Sequence, residues 1–117
     1  MSLQDVTALP RRPARAPVFF DRRELETILS VYGFFVAAGE WRDYAIDGGT
    51  DAAVFSVFRR TSEAPLYRIE KRPKLARKQG AYAVISSAGA VLKRGQDLRA
   101  VLRVFDRQKL KLASGST

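Results

Sequence analysis

The 117-residue chain contains no cysteine and no histidine, and only one methionine and one tryptophan. Without cysteine there is no disulfide, no thiolate nucleophile and no Cys-ligated zinc or iron–sulfur site. Without histidine the chain lacks the commonest general base and the commonest transition-metal ligand. Long hydrophobic runs are missing too. The longest apolar-rich stretch, residues 31–38 (Val-Tyr-Gly-Phe-Phe-Val-Ala-Ala), falls far short of the ~20 residues that a membrane helix needs. The opening residues Met1-Ser-Leu-Gln-Asp-Val have neither the basic start nor the apolar stretch of a secretory signal. These absences point to a soluble cytoplasmic protein with no membrane association and no expected cofactor or metal, and the balance is against an enzyme.

What is present is a core and a charge. Apolar residues make up 46% and aromatics 10%, enough to build a hydrophobic interior and to exclude wholesale disorder. The length suits one small domain. Lys and Arg number 21 against 12 acids, a formal net charge of +9.

Residues 1–18 read as a flexible basic arm, with Pro10, Pro13 and Pro17 among Arg11, Arg12 and Arg15 and no apolar period. Residues 113–117 read as a short flexible tail, which leaves residues 19–112 as the single domain. Within it, Asp21 and Glu24 form the Asp variant of a capping box, with Phe20 and Leu25 at the hydrophobic-staple positions. Leu25, Ile28, Leu29, Tyr32, Phe35 and Val36 then recur at helical spacing, and Gly39 supplies a stop, which predicts a helix over 22–38. Alternating patterns predict strands over 41–47, 52–60, 66–72, 82–86 and 91–93, separated by Gly, Asp and Ser turns. Leu98, Val101, Leu102 and Phe105 form a second helical stripe, capped near Asp97. The expected fold class is α+β, an antiparallel sheet of about five strands packed on two helices in the order α-β-β-β-β-β-α.

The positive charge is concentrated late in the chain, because residues 61–117 hold 13 of the cations and only four of the acids. Lys71, Arg72, Lys74, Arg77 and Lys78 fall in eight residues without an acid, in a Pro/Gly-containing connection expected to be exposed. Lys93 and Arg94 precede the second helix, and Arg99, Arg103 and Arg107 follow at four-residue steps along it. Unpaired cations of this density neutralise phosphates and release counterions. The functional reading is therefore a non-catalytic module that binds a polyanion, DNA or RNA, through the 71–78 connection and the second helix. The competing reading is a solvated basic face that only confers solubility.

Aromatic side chains on an exposed sheet can stack nucleobases. Trp41, at a strand edge beside Arg42, is the candidate for that role, whereas the remaining strand aromatics suit the core. The strand over 52–60 is apolar on both faces, so helices packed on a single side would leave Val54 and Phe58, or Phe55 and Val57, uncovered. That patch would serve a homodimer or an acidic protein partner, the alternative function. Catalytic readings are thin. Ser86 and Ser87 near Lys93 sit where serines form turns anyway. Asp43, Asp47 and Asp51 match no calcium-loop spacing, and Gly48-Gly49 opens no helix as a phosphate loop would.

Several unbroken strings carry a family resemblance: Phe20-Asp-Arg-Arg-Glu-Leu, Val36-Ala-Ala-Gly-Glu-Trp-Arg-Asp-Tyr-Ala-Ile-Asp47 and Ala53-Val-Phe-Ser-Val-Phe-Arg-Arg60. Pro65-Leu-Tyr-Arg-Ile-Glu-Lys-Arg-Pro73 and Val91-Leu-Lys-Arg-Gly95 add to them. Over about residues 19–105 the chain resembles the alphaproteobacterial domain-of-unknown-function family numbered 2794. The resemblance implies a small bacterial cytoplasmic protein with no assigned activity, and it carries over no site residues.

Overall fold

A computed structural model describes residues 17–60 and 63–115. The elements are α1 (Arg22–Ala37), β1 (Asp43–Gly48), β2 (Ala53–Phe58), β3 (Tyr67–Lys71), β4 (Tyr82–Ser86), β5 (Val91–Gly95), α2 (Leu98–Leu102) and α3 (Asp106–Ala113), with 3-10 turns at Pro73–Leu75 and Arg103–Phe105. The five strands form one antiparallel meander in the order β1-β2-β3-β4-β5. The fold is α+β, as the sequence pattern indicates. Residues 1–16 of the expected arm lie outside the described residues. Of its last two residues, Val18 donates its amide to the Gly49 carbonyl at 2.7 Å.

The start of α1 follows from its local chemistry. The Asp21 carboxylate accepts from the Glu24 amide, and the Glu24 carboxylate accepts from the Asp21 amide, both at 2.8 Å. These bonds satisfy two of the amides that a helix N-terminus leaves without partners. Ala38 closes the helix, and Gly39 takes the left-handed turn at φ +78°. The buried face differs from the expected stripe. Ile28, Val31 and Phe35 are buried, while Leu29 and Val36 lie outside. Val31 takes the place of Leu29 in the buried face and packs in one cluster with Leu98, Val101, Leu102 and Phe105 of the second helical region.

That second region is not one helix. Asp97 caps α2, accepting from the Arg99 amide at 3.3 Å, but the helix lasts five residues before the 3-10 turn. The turn redirects the chain into α3 and places Phe105 fully inside. Phe105 meets Trp41 at 5.2 Å, Phe35 at 5.8 Å and Tyr67 at 5.0 Å between ring centroids.

One sheet face carries the core. Ala53, Phe55 and Val57 on β2, Ile69 on β3 and Val84 on β4 pack with the buried residues of α1, α2 and the 3-10 turn. The register places Phe55 opposite Ile46 and Ile69, and Ile69 opposite Val84, so one row of side chains crosses the sheet. The other face holds Val54 and Phe58, both half-buried, with buried Ser56, Glu70, Ala83 and Ile85. Among the described residues no helix is long and apolar enough to cross a membrane.

Gly80 and Gly95 lock the end of the basic connection to β5. Gly80 has φ +116°, and a Cβ built there would lie 2.5 Å from the carbonyl carbon of Gly95. Only glycine permits both the backbone angle and the approach.

Candidate functional site

The basic connection is wound on itself. Arg72 donates its amide to the Ala81 carbonyl at 2.6 Å, and the amides of Lys78, Gln79 and Gly80 all turn back to the Leu75 carbonyl at 2.8–3.1 Å. Three of its five cations pair with carboxylates, Lys71 in a largely buried pair and Lys74 in an exposed one. Lys71 Nζ lies 2.8 Å from Glu24 Oε1 and donates also to the Phe19 carbonyl. Arg72 Nε lies 3.1 Å from Glu70 Oε1, and Lys74 Nζ 3.2 Å from Asp51 Oδ1. The expectation of an open loop of unpaired cations is therefore corrected: Lys71, Arg72 and Lys74 are tied to carboxylates brought in by the fold.

The Lys71 pair belongs to a small half-buried cluster. Glu24, with 11% of its side chain exposed, accepts at one oxygen from Lys71 and the Asp21 amide, and at the other from the Tyr82 hydroxyl. Burial, and then the bond donated to Glu24, pushes the Tyr82 phenol far above its ordinary 10.0. The cluster fixes the N-terminus of α1 and the residue-19 backbone to β3 and β4. Its two charged groups are matched to each other, so it is a fastening and not a ligand site.

The other sequence-predicted residues fall into three groups. Arg94 half-buries its guanidinium and donates to the Gly80 carbonyl at 3.3 Å. Arg77, Lys78, Lys93 and Arg107 are exposed and carry no side-chain partner among the described residues. Arg99 and Arg103 line a groove of about 680 Å³ between α1 and the α2–α3 region. Arg107 does not line it, because the 3-10 turn breaks the four-residue stripe that the sequence suggests.

Two cations that the sequence pattern did not single out share this groove. Arg23 enters from the first turn of α1, and Lys109 enters from α3, its ammonium 5.3 Å from the centre of the Phe34 ring. The four cations face two carboxylates, Glu26 and Asp106. Glu26 is paired with Arg22 at 3.7 Å. Thr27 and Ser30 add hydroxyls along the α1 wall, and Val31 and Leu102 form the apolar floor. A groove so lined offers several donors and an unbalanced positive charge to an extended anion. The signal for Arg23 lay in its spacing to Thr27, Ser30 and Val31, which share one side of α1. It was hidden because residues 21–40 as a whole carry more acids than bases.

Trp41 is corrected as a stacking platform. It is 4% exposed, stacked on Phe35 at 4.4 Å and 23°, because it lies in the core before β1 begins. The apolar sheet face proposed for a partner is likewise not bare: Val54 and Phe58 are half-buried on a face that also bears Arg68 and Glu70. Exposed apolar side chains stand on the two edge strands, Tyr44 and Ile46 on β1 and Val91 and Leu92 on β5, and also on the helices, Leu29 and Val36 on α1 and Leu110 and Leu112 on α3, with Phe19 ahead of α1. Ser86 Oγ accepts from the Ala90 amide at 3.1 Å, a turn-forming role. Among the described residues no three carboxylates gather as a metal site requires.

A protein-family model described as a protein of unknown function (DUF2794) matches residues 18–102. No curated protein and no solved structure matches the chain. The matched span contains Arg23 and Arg99 of the groove and ends just before Arg103 and Lys109.

Proposed function

The chain belongs to the DUF2794 family of proteins of unknown function, and from its charge geometry we propose that it is a non-catalytic module that binds the phosphate backbone of nucleic acid. The observation that carries this reading is the groove between α1 and the α2–α3 region, where Arg23, Arg99, Arg103 and Lys109 converge against two carboxylates. Arg guanidinium groups suit phosphate because their fixed fork of donors matches its oxygens. Exposed Arg77, Lys78, Lys93 and Arg107 extend the positive field beyond the groove. Contacts of this kind position a strand without reading its bases, so the module binds with little sequence preference and with steep salt dependence.

The test compares the native chain with the double variant Arg99→Gln/Arg103→Gln for binding of labelled 20-nucleotide DNA and RNA. Both guanidinium groups are exposed at the groove, so the substitutions leave the fold intact. Affinity at low salt falls by at least about tenfold and the salt dependence flattens by about two counterions. Unchanged affinity in the double variant overturns the assignment.

A further inference from the structure

A second cavity, separate from the basic groove, lies where α3 passes over the ends of β2, β3 and β4. It measures about 360 Å³, within the ~300–1,000 Å³ typical of small-molecule sites. Its wall is aromatic and aliphatic: Trp41, Tyr67 and Phe35 with Leu66 and Leu112. Polar groups converge on that wall from three places, with Arg59 after β2, Ser86 at the end of β4 with Ser87 beyond it, and Gln108 and Lys111 on α3. Glu40 is the single carboxylate of the lining, so the cavity is positive on balance.

We propose that this cavity is a binding site for a small aromatic carboxylate, its ring against half-buried Tyr67 and Leu66 above the buried Trp41 and its carboxylate toward Arg59. Two features favour it. The aromatic wall is already ordered: Trp41 is held between Phe35 at 4.4 Å and the edge of Phe105 at 5.2 Å, and the Tyr67 hydroxyl accepts from Gln108 Nε2 at 3.3 Å. A ligand therefore meets a preformed surface and does not bear the cost of ordering it. Arg59, in addition, is exposed and has no ion-pair partner among the described residues, so its guanidinium is available to a carboxylate.

The site carries its own reporter, since Trp41 is the only tryptophan of the chain. The full-length protein is titrated with 3-phenylpropanoate and, in parallel, with the uncharged 3-phenylpropanol, following tryptophan emission. The acid shifts the emission saturably and binds at least ~10-fold more tightly than the alcohol, the gain expected of one charge-assisted contact. Arg59→Gln removes that difference while leaving the melting temperature unchanged. Arg99→Gln/Arg103→Gln leaves it intact, which separates this site from the nucleic-acid reading. Absence of a saturable shift, equal affinity for acid and alcohol, or a difference that survives Arg59→Gln overturns the proposal.

Discussion

Lys71 Nζ stands 2.8 Å from Glu24 Oε1, an ion pair between residues 47 positions apart that joins β3 to the first turn of α1. Both side chains are largely buried, 18% and 11% exposed. The most conspicuous cation of the basic connection is thus committed to the fold. Lys71→Ala leaves Glu24 in place with one partner fewer, at a cost of about 1–3 kcal/mol. Urea denaturation measures that loss. Arg77→Ser/Lys78→Ser, which removes exposed cations of the same connection, leaves the midpoint unchanged.

The Glu24 cluster also imposes an alkaline limit on stability. The Tyr82 phenol is raised above its ordinary 10.0, first by burial and then by its hydrogen bond to Glu24. Its neutral form is therefore favoured in the folded chain, and the contribution is fully present below pH 10. Above that pH the unfolded chain releases the proton while the folded chain retains it, so stability falls as pH rises. Denaturation midpoints at about pH 9 and about pH 11 compare the native chain with Tyr82→Phe. The native chain loses more stability across this interval than the variant does.

Trp41 behaves as a core residue. Its ring is 4% exposed and stacked on Phe35, so its emission is blue-shifted and resists quenching by acrylamide. Trp41→Ala costs about 3–5 kcal/mol, as for other buried aromatic truncations. Added oligonucleotide leaves the accessibility of the ring to acrylamide unaltered.

The contact between Gly80 and Gly95 is tested by one methyl group. Gly80→Ala places a Cβ 2.5 Å from the Gly95 carbonyl carbon at a φ of +116°. The combined strain and overlap destabilise the chain by about 1–3 kcal/mol. Gly89→Ala meets no neighbour within 4 Å but shares the positive φ, +88°. Its smaller loss, measured beside that of Gly80→Ala, isolates the steric part.

Much of the fold was written locally. The Asp21–Glu24 cap and the Gly39 stop depend on residues a few positions apart, and each occurs where the pattern places it; the strand Tyr67–Lys71 forms as well, but its polar face is not wet, since Arg68 is half-buried and Glu70 buried. The helical break at Arg103–Phe105 was not legible, because Leu98, Val101, Leu102 and Phe105 fit a continuous helix equally well. Packing of Phe105 against Trp41 and Tyr67 decides it. The site was legible as a charge but not as a surface. Counting cations along the chain does not reveal that Glu24 of α1 and Asp51 of the β1–β2 turn pair with Lys71 and Lys74. Nor does it reveal that Arg23 of the acidic first helix faces Arg99 and Arg103 across one groove.

The most direct measurement is a salt series of fluorescence anisotropy, with the protein in excess over labelled duplex DNA. If the four groove cations hold phosphates, log affinity falls linearly with log salt at a slope of about −4 or steeper. Detectable binding at ~50 mM salt accompanies that slope, since electrostatic association is strong there. No binding at that salt, or an affinity indifferent to it, contradicts the account and leaves the groove a solvated face.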